Sequence, residues 1–315
     1  MNRVIALLLL LSVVWSCEND DDSTKPVSKP PRLLSEVAIE DDAEIKAYLQ
    51  THFYNYEEFA NPPAGFDFKI KIDTIAADNS DKIPMLDQEQ LKSEVFTVLS
   101  SAFGRDDGEE VEHTLYYLVA REGDTDNKPT IGDNTVLQFE GSLFDGTLFD
   151  ASTTPTSLYL SSTLRGYGNG VVKFGVGVGP TDNGDGTVSF EDYGVGAIFM
   201  PAGLAYFNSP PVGSGIAAYE PLIFTIDVLA FEKDTDFDND GIPSIKEDLD
   251  GDGNLNNDNT DADTERGVFL PNHQDSDDDN DGIPTRDEIE IDAEGNITFP
   301  DTDGDGTPDY LDSDS

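Results

Sequence analysis

Alternation of apolar and polar residues marks the middle of the chain. Across residues 136–152, Leu137 and Phe139 alternate with polar neighbours, and Asp145 and Gly146 interrupt the pattern before apolar residues return at Leu148. A period of two indicates a strand that buries one face, and Asp-Gly is a preferred hairpin turn. The pattern predicts two antiparallel strands joined by a tight turn.

Other stretches predict further elements on both sides of this hairpin. Acidic residues followed by apolar residues at helical spacing predict a helix across residues 40–53, then a short strand at residues 66–72 and a second helix at residues 88–99. Strand patterns begin at residue 114 and return at residues 221–229. The chain therefore combines helices, which come first, with strands.

The stretch at residues 176–196 contains a glycine-rich turn sequence, Asn-Gly-Asp-Gly, between residues of strand type. This arrangement predicts an additional hairpin. A divalent cation held by Asp182, Asp185 and Glu191 is the alternative interpretation of the same stretch.

The first 16 residues have the pattern of a signal peptide. Arg3 precedes a run of mostly apolar residues that ends at Ser16, directly before the single cysteine, Cys17. The run is too short to span a bilayer, so we assign residues 1–16 to a leader peptide. Residues 17–35 are acidic and then rich in proline, which predicts an extended tether. One cysteine excludes an internal disulfide framework and a four-cysteine zinc site.

Charge is distributed unevenly along the chain. The sequence contains 65 acidic and 18 basic residues, for a net charge of −47, which argues against nucleic acid as a partner and favours cations. Residues 231–315 alone hold 29 Asp and Glu against 4 Lys and Arg. We name residues 233–315 the acidic tail. It is either a solvated, self-repelling segment or a set of cation sites.

The spacing of the acids distinguishes these two interpretations. Asp at the first, third and fifth positions, Gly at the sixth and an acid at the twelfth occur three times, and alternate carboxylates of one tight loop can converge on a hard cation. We therefore predict structural Ca²⁺ in three loops. The predicted ligands are Asp236, Asp238, Asp240 and Glu247, then Asp277, Asp279, Asp281 and Glu288, and then Asp301, Asp303, Asp305 and Asp312. Asp250, Asp252 and Asn254 begin a fourth, less complete loop.

Residues 112–232 resemble FKBP-type peptidyl-prolyl cis-trans isomerases. The resemblance rests on Pro-x-x-Gly-Asp at residues 129–133, Phe-Asp-x-Ser at residues 149–152, Leu-x-Gly-aromatic at residues 164–167 and Pro-x-x-Leu-Ala-Tyr at residues 201–206. It implies an α+β fold with an antiparallel sheet wrapped on a short helix. A helical segment at residues 36–111 would precede this domain, and calcium-wound loops would follow it.

The resemblance also implies a proline pocket. At the family's pocket positions or their close equivalents this sequence has Phe139, Phe149, Asp150, Leu164, Tyr167, Tyr206, Ile216 and Phe224. Three positions depart from the family pattern: Phe139 replaces a tyrosine, Tyr167 replaces the tryptophan of the pocket floor, and Phe207 replaces a glycine.

The function that the resemblance implies is a peptidyl-prolyl isomerase that assists the folding of envelope or surface proteins. Proline-containing polypeptides would be its partners, and catalysis would need no cofactor. The alternative is a non-catalytic cell-surface binding or adhesion protein that reuses the fold.

Two further resemblances concern the ends of the chain. Ser16 before Cys17 resembles a bacterial lipobox, which implies that Cys17 is lipidated and anchors the protein to the outer membrane, and the acidic residues 18–22 resemble the surface-export signal of Bacteroidetes-type lipoproteins. Ile-Pro after the loop glycine, as at residues 242–243, resembles thrombospondin type 3 repeats. We therefore expect a surface-exposed or periplasm-facing lipoprotein.

Overall fold

Six strands form the centre of the structure, and both faces of their sheet are covered. The computed structural model describes residues 31–261 and 270–315. The predicted signal peptide, Cys17 and most of the predicted tether lie outside the described residues. Within these two ranges, no helix has the length and hydropathy needed to cross a membrane.

The helices are α1 (Leu34–Thr51), α2 (Tyr56–Ala60), α3 (Arg165–Val171) and α4 (Thr285–Glu288). The strands are β1 (His52–Tyr54), β2 (Ile72–Thr74), β3 (Leu91–Leu99), β4 (Glu110–Arg121), β5 (Asn134–Ser142), β6 (Leu148–Tyr159), β7 (Val178–Asp182), β8 (Val188–Glu191), β9 (Gly194–Met200), β10 (Leu222–Glu232), β11 (Glu290–Ile291) and β12 (Ile297–Thr298). Short 3₁₀ turns occupy Ala77–Asn79, Met85–Asp87, Ser100–Phe103, Leu160–Ser162, Ala202–Leu204, Ser244–Glu247, Leu255–Asn257, Asn272–Gln274 and Asp309–Leu311.

The central sheet has the strand order β3-β4-β9-β10-β5-β6, and every neighbouring pair is antiparallel. The predicted hairpin is present as β5 and β6, which pair Gly141 with Asp150. The N–H of Leu143 donates to the carbonyl of Thr147 at 2.9 Å and closes the turn. The hairpin lies at one edge of the sheet, next to β10. We name residues 31–232, which contain this sheet, the sheet domain.

Two apolar clusters cover the opposite faces of the sheet. Ile198 of β9 packs in the cluster that contains Tyr167 of α3, whereas its neighbour Phe199 packs in the cluster that contains Ile45 of α1. All residues of β9 are buried, as expected for a central strand with both faces covered. The predicted α+β class, an antiparallel sheet wrapped on a short helix, is confirmed.

The prediction of a helix at residues 88–99 is wrong. Leu91–Leu99 form β3, which pairs with β4 along its whole length. Phe96 and Val98 are buried while Val95 and Thr97 are exposed, so the second half of this segment follows a period of two. Aromatic and β-branched residues favour a strand once a partner strand is beside them. The sheet therefore takes one of its strands from the segment that was predicted to be helical.

The predicted strand at residues 66–72 is also wrong, except for its last residue. β2 begins at Ile72 and pairs with β1. In the irregular stretch before it, Lys69 forms an ion pair with the buried Asp227, and Lys71 forms one with Glu58. This stretch therefore contacts the rest of the domain through side chains without forming a strand.

The additional hairpin is present as β7 and β8. Its acidic residues serve the turn: Asp182 Oδ1 accepts the N–H of Gly184 at 2.8 Å, and Asp185 Oδ1 accepts that of Thr187 at 2.9 Å. Among the described residues, Asp182, Asp185 and Glu191 form no carboxylate group close enough to share a cation. The structure favours the hairpin interpretation of this stretch.

Candidate functional site

A cavity of about 330 Å³ opens between one end of the sheet and the start of α3. Its lining comes from β5, β6, α3, β10 and the segments that precede α3 and follow β9. The lining residues are Phe139, Asp150, Leu158, Ser162, Thr163, Leu164, Tyr167, Tyr206 and Phe224. Aromatic rings combined with a few hydroxyl groups and one carboxylate suit a small apolar group carried on a polar chain.

Phe224 is the centre of the aromatic packing. Its ring centroid lies 4.9 Å from that of Tyr167 and 5.5 Å from that of Phe149, and both pairs are edge-to-face. Gly141 leaves room for this arrangement, because a Cβ there would lie 2.7 Å from the Phe149 ring and 2.8 Å from the Phe224 ring. The glycine of the hairpin motif is therefore required by aromatic packing.

Two tyrosines, Tyr167 and Tyr206, contribute hydroxyl groups to the cavity. The hydroxyl of Tyr167 is buried without a hydrogen-bond partner in the described part of the chain. Burial, and then the charge of Asp150, raise the pKa of Tyr167 well above its ordinary value. The same two causes raise the pKa of the half-buried Tyr206. Both hydroxyls therefore stay protonated at neutral pH and can donate hydrogen bonds.

Asp150 stands on β6 at the exposed rim of the cavity. Its Oδ1 accepts the N–H of Ala151 at 2.9 Å. An ionised carboxylate only accepts hydrogen bonds, so this residue can orient an N–H or O–H group that approaches the rim.

The structure brings together six of the eight pocket residues predicted from sequence. Phe149 packs against Phe224 and Ile216 is buried in the same apolar cluster, but neither lines the cavity. Leu158, Ser162 and Thr163 line the cavity and were not predicted. Leu158 is the first large apolar residue after a polar stretch of β6, and that change could have drawn attention to it. Ser162 and Thr163 lie in an irregular segment with no comparable signal.

Phe207, which stands where the family has glycine, keeps a left-handed backbone with φ of 47°. The ring is 1% exposed and its centroid lies 4.3 Å from that of Phe103. A left-handed backbone at a non-glycine residue is unfavourable by about 1–3 kcal/mol, and burial of a phenylalanine side chain contributes about 1.5–3 kcal/mol in return. Apolar packing therefore offsets the strain directly after Tyr206.

The acidic tail brings its alternate aspartates together, as predicted. In each group the ligand oxygens lie within 4.8 Å of one another. The groups are Asp236 with Asp238 and Asp240, Asp248 with Asp250 and Asp252, Asp277 with Asp279 and Asp281, and Asp301 with Asp303 and Asp305. We name each loop by its first aspartate.

The incomplete loop begins two residues earlier than expected, at Asp248. The N–H of Gly253 donates to Asp248 Oδ2 at 3.1 Å, just as Gly241 donates to Asp236 at 3.0 Å. Gly253 has a φ of 73° and Gly241 a φ of 107°, so each turn needs glycine in the sixth place. Counting back from the glycine would have found the correct start.

The acidic residues at the twelfth position of the three predicted loops differ in the carboxylates that surround them. Glu247 joins Asp240 and Asp278 in a group that was not predicted. Within the described residues, Glu288 and Asp312 belong to no group of three carboxylates. Burial and then the charges of Asp279 and Asp281 nevertheless raise the pKa of Glu288 to about 7, so this side chain lies near the Asp277 loop.

Buried carboxylate oxygens without partners indicate that the tail residues suit a hard cation. Both oxygens of Glu247 and one oxygen each of Asp238 and Asp279 are buried with no hydrogen-bond partner among the described residues. Burial, followed by the charge of Asp238, raises the pKa of Glu247 to about 11. Burial, followed by the charge of Asp240, raises the pKa of Asp238 to about 8. A divalent cation would replace these protons and supply the missing partners.

The Asp248 loop docks on the cavity wall of the sheet domain. Leu255 is fully buried in the same apolar cluster as Tyr167. Asn169 of α3 donates to the carbonyl of Gly253 at 3.1 Å, and Arg165 forms an ion pair with Asp252 at 3.2 Å. The helix that carries Tyr167 therefore lies between the sheet and a candidate cation loop.

Comparison with known proteins gives partial similarity to solved structures. No protein-family model matches this sequence, and no curated protein is significantly similar to it. Similar solved structures include a peptidyl-prolyl cis-trans isomerase from Pseudomonas syringae pv. tomato, with 20% identity over 47% of this chain and 84% of that chain and a TM-score of 0.33.

Two further structures are FkpA from Escherichia coli and the N-terminal domain of FKBP42 from Arabidopsis thaliana. FkpA is 21% identical over 62% of each chain, with a TM-score of 0.34. The FKBP42 domain is 16% identical over 38% of this chain and 87% of that chain, with a TM-score of 0.31. Similarity of this size does not assign an activity to this chain.

Proposed function

We propose that the sheet domain is an FKBP-type peptidyl-prolyl cis-trans isomerase. The observation that supports this proposal is the cavity in which Phe139, Asp150, Leu164, Tyr167, Tyr206 and Phe224 meet. They come from separate segments of the chain, and these six of the eight expected positions line one space large enough for a proline ring.

Resonance in the amide bond gives X-Pro rotation a barrier of about 18–20 kcal/mol. A planar imide has a large dipole that water solvates well, and the twisted transition state loses that resonance. The rings of Phe224, Tyr167 and Phe139 would exclude water from the bound imide, and this favours the twisted state over the planar one. Catalysis of this kind needs shape and desolvation more than proton transfer.

The polar groups of the cavity would hold the substrate chain. Tyr206 and Tyr167 stay protonated, so each can donate to a substrate carbonyl, and Asp150 at the rim can accept from a substrate N–H. The buried hydroxyl of Tyr167 has no partner among the described residues, and Tyr167 is smaller than the tryptophan that the family has on the pocket floor. We therefore expect a weaker enzyme than typical family members, or one suited to bulky substrates.

The proposal is tested on the full chain by NMR exchange spectroscopy with an Ala-Pro peptide in excess calcium. Tyr206→Phe should slow isomerisation about tenfold, the equivalent of one hydrogen bond of about 1.4 kcal/mol. Asp150→Asn should weaken catalysis, while Asp145→Asn, an exposed change in the same hairpin away from the cavity, should not. Phe224→Leu should reduce peptide binding.

An inactive wild-type chain that still binds proline peptides would favour the non-catalytic binding protein. Equal rates for Asp150→Asn and Asp145→Asn would contradict the assignment of the rim carboxylate.

We also propose that the acidic tail binds structural Ca²⁺ and that lipidated Cys17 anchors the protein at the outer membrane, where proline-containing polypeptides of the envelope are its substrates. The four aspartate groups support the first part, and three of them contain a buried oxygen without a partner among the described residues. The sequence around Cys17 supports the second. Cys17→Ser should move the protein from the membrane to the soluble fraction, and retention in the membrane would contradict the lipid anchor.

A further inference from the structure

One carboxylate group in the acidic tail does not follow the loop pattern. Asp240, Glu247 and Asp278 place ligand oxygens within 4.8 Å of one another. Asp240 and Glu247 come from the Asp236 loop, whereas Asp278 belongs to the Asp277 loop. Asp277 and Asp279, on either side of it, form the group of their own loop with Asp281. Asp278 therefore faces the neighbouring loop while its sequence neighbours face their own.

This group is more deeply buried than those of the other loops. Asp240 is 1% exposed, Glu247 0% and Asp278 1%, whereas the three aspartates of the Asp301 loop are all exposed. Both oxygens of Glu247, both oxygens of Asp278 and Oδ2 of Asp240 are buried without a hydrogen-bond partner among the described residues. None of the ion pairs in residues 31–261 and 270–315 includes any of the three. Such groups are strongly unfavourable unless a cation accompanies them.

Charge balance favours a second cation when all the carboxylates around Asp240 are ionised. The Asp236 loop group and this group share Asp240, so together they contain five carboxylates, Asp236, Asp238, Asp240, Glu247 and Asp278. A single divalent cation would leave three uncompensated negative charges in this buried space, and two divalent cations would leave one. Arg286 is the basic residue whose charge acts on Asp240, and it is exposed, with its guanidinium donating to the carbonyl of Asn239 at 3.5 Å.

We propose that Asp240, Glu247 and Asp278 form an additional divalent-cation site that joins the Asp236 loop to the Asp277 loop. Its cation is additional to those proposed for the four loops, although it shares Asp240 with the Asp236 loop and takes Glu247, the predicted twelfth ligand of that loop. The site rests on the proposed binding of Ca²⁺ by the tail and does not depend on isomerase activity. Carboxylate-only ligation suits a hard cation such as Ca²⁺. The cation would hold together two segments that are distant in sequence. The apolar cluster in this region, Ile242, Ile289 and Tyr310, is small and can contribute only part of the stability.

The test counts bound ions on the full chain by native mass spectrometry, after removal of cations with chelator and titration with CaCl₂ alone. Asp278→Asn should bind one Ca²⁺ fewer than the wild-type chain. Asp287→Asn, an exposed change in the same segment, should bind the wild-type number. Glu247→Gln should reproduce the loss from the other loop.

A second measurement distinguishes the loss of this site from a general loss of structure. Hydrogen exchange in Ca²⁺ should increase in residues 236–247 of Asp278→Asn, although the change is in another loop, while β9 and β10 keep wild-type protection. A wild-type ion count in Asp278→Asn would overturn the additional site and leave the loop sites intact. No bound Ca²⁺ in the wild-type chain would overturn both.

Discussion

The sheet domain and the acidic tail keep their conformations by different means. In the sheet domain, both faces of the sheet are covered by apolar clusters, and the buried Asp227 and Asp133 are paired with Lys69 and with backbone N–H groups, respectively. In the acidic tail, the apolar cluster is small and many buried carboxylate oxygens lack a partner among the described residues. The order of the first region should depend on the burial of apolar surface, and that of the second on cation concentration.

Removing cations should have the largest effect and should separate the two regions. Without a cation the carboxylate groups repel one another, so in excess EGTA residues 233–261 and 270–315 should lose most of their protection from hydrogen exchange. Strands β9 and β10 should remain protected. Hydrogen exchange of the full chain, with and without Ca²⁺, measures this, and a tail that keeps its protection in EGTA would refute the difference between the regions.

Matched core substitutions sharpen the comparison. Phe174 is fully buried beneath Gly196, and Phe174→Ala should lower the free energy of unfolding by about 3–5 kcal/mol in both Ca²⁺ and EGTA. Ile242 is equally buried, but Ile242→Ala should reduce tail stability only in Ca²⁺, by about 2–5 kcal/mol, because the tail is already unfolded in EGTA. Urea titrations in the two buffers test both. A calcium-dependent effect of Phe174→Ala would contradict this prediction.

Asp41 is a buried carboxyl group of the sheet domain that should make its stability depend on pH even when the tail is saturated with Ca²⁺. Asp41 of α1 is 3% exposed and accepts the N–H of Ala202 at 2.7 Å. Burial raises its pKa to about 7. The folded chain then binds a proton that the unfolded chain releases near pH 4, so the stabilisation is complete below about pH 4 and is lost as pH rises through about 7.

A shift of this size corresponds to about 4 kcal/mol at most. Asp41→Asn keeps an acceptor for Ala202 and should reduce the slope of unfolding free energy between pH 4 and 8 in excess Ca²⁺; the buried Asp227 remains in both chains. Glu36→Gln, an exposed change on the same helix at a residue that does not act on Asp41, should leave the slope unchanged. Equal slopes for wild type and Asp41→Asn would contradict the assignment.

The smallest effect concerns the contact between the two regions. Arg165→Ala removes the ion pair with Asp252 and the hydrogen bond to the carbonyl of Thr97 at 2.9 Å. We expect a loss of about 1 kcal/mol in Ca²⁺, since partly exposed ion pairs contribute little. The loss should be smaller in EGTA, where the contacts with Thr97 and with the Phe96 ring remain. Arg165→Lys, which keeps the charge, should be milder, and identical losses in the two buffers would show that the Asp248 loop does not dock through Arg165.

Local patterns were sufficient for much of this protein. The period of two identified the β5–β6 hairpin and the last strand, and the Asp-Gly turn identified where the hairpin reverses. The spacing of aspartates around a glycine identified the carboxylate groups, because those groups form within one short loop. Six of the eight pocket residues that the family resemblance implied also line the cavity.

Long-range partners decided the rest. Leu91–Leu99 form a strand because β4 lies beside them. The sequence of this segment does not indicate that β4 will be its neighbour. Phe149 was predicted to line the cavity but packs against Phe224 instead. Ser162 and Thr163 line the cavity although they were not predicted, because they lie in the segment that leads into α3. The side chain of Asp278 lies beside Glu247 rather than within the Asp277 loop, because the Asp236 and Asp277 loops are in contact in the folded chain. Sequence spacing specifies contacts within a turn or a hairpin, whereas contacts between distant segments exist only once the chain has folded.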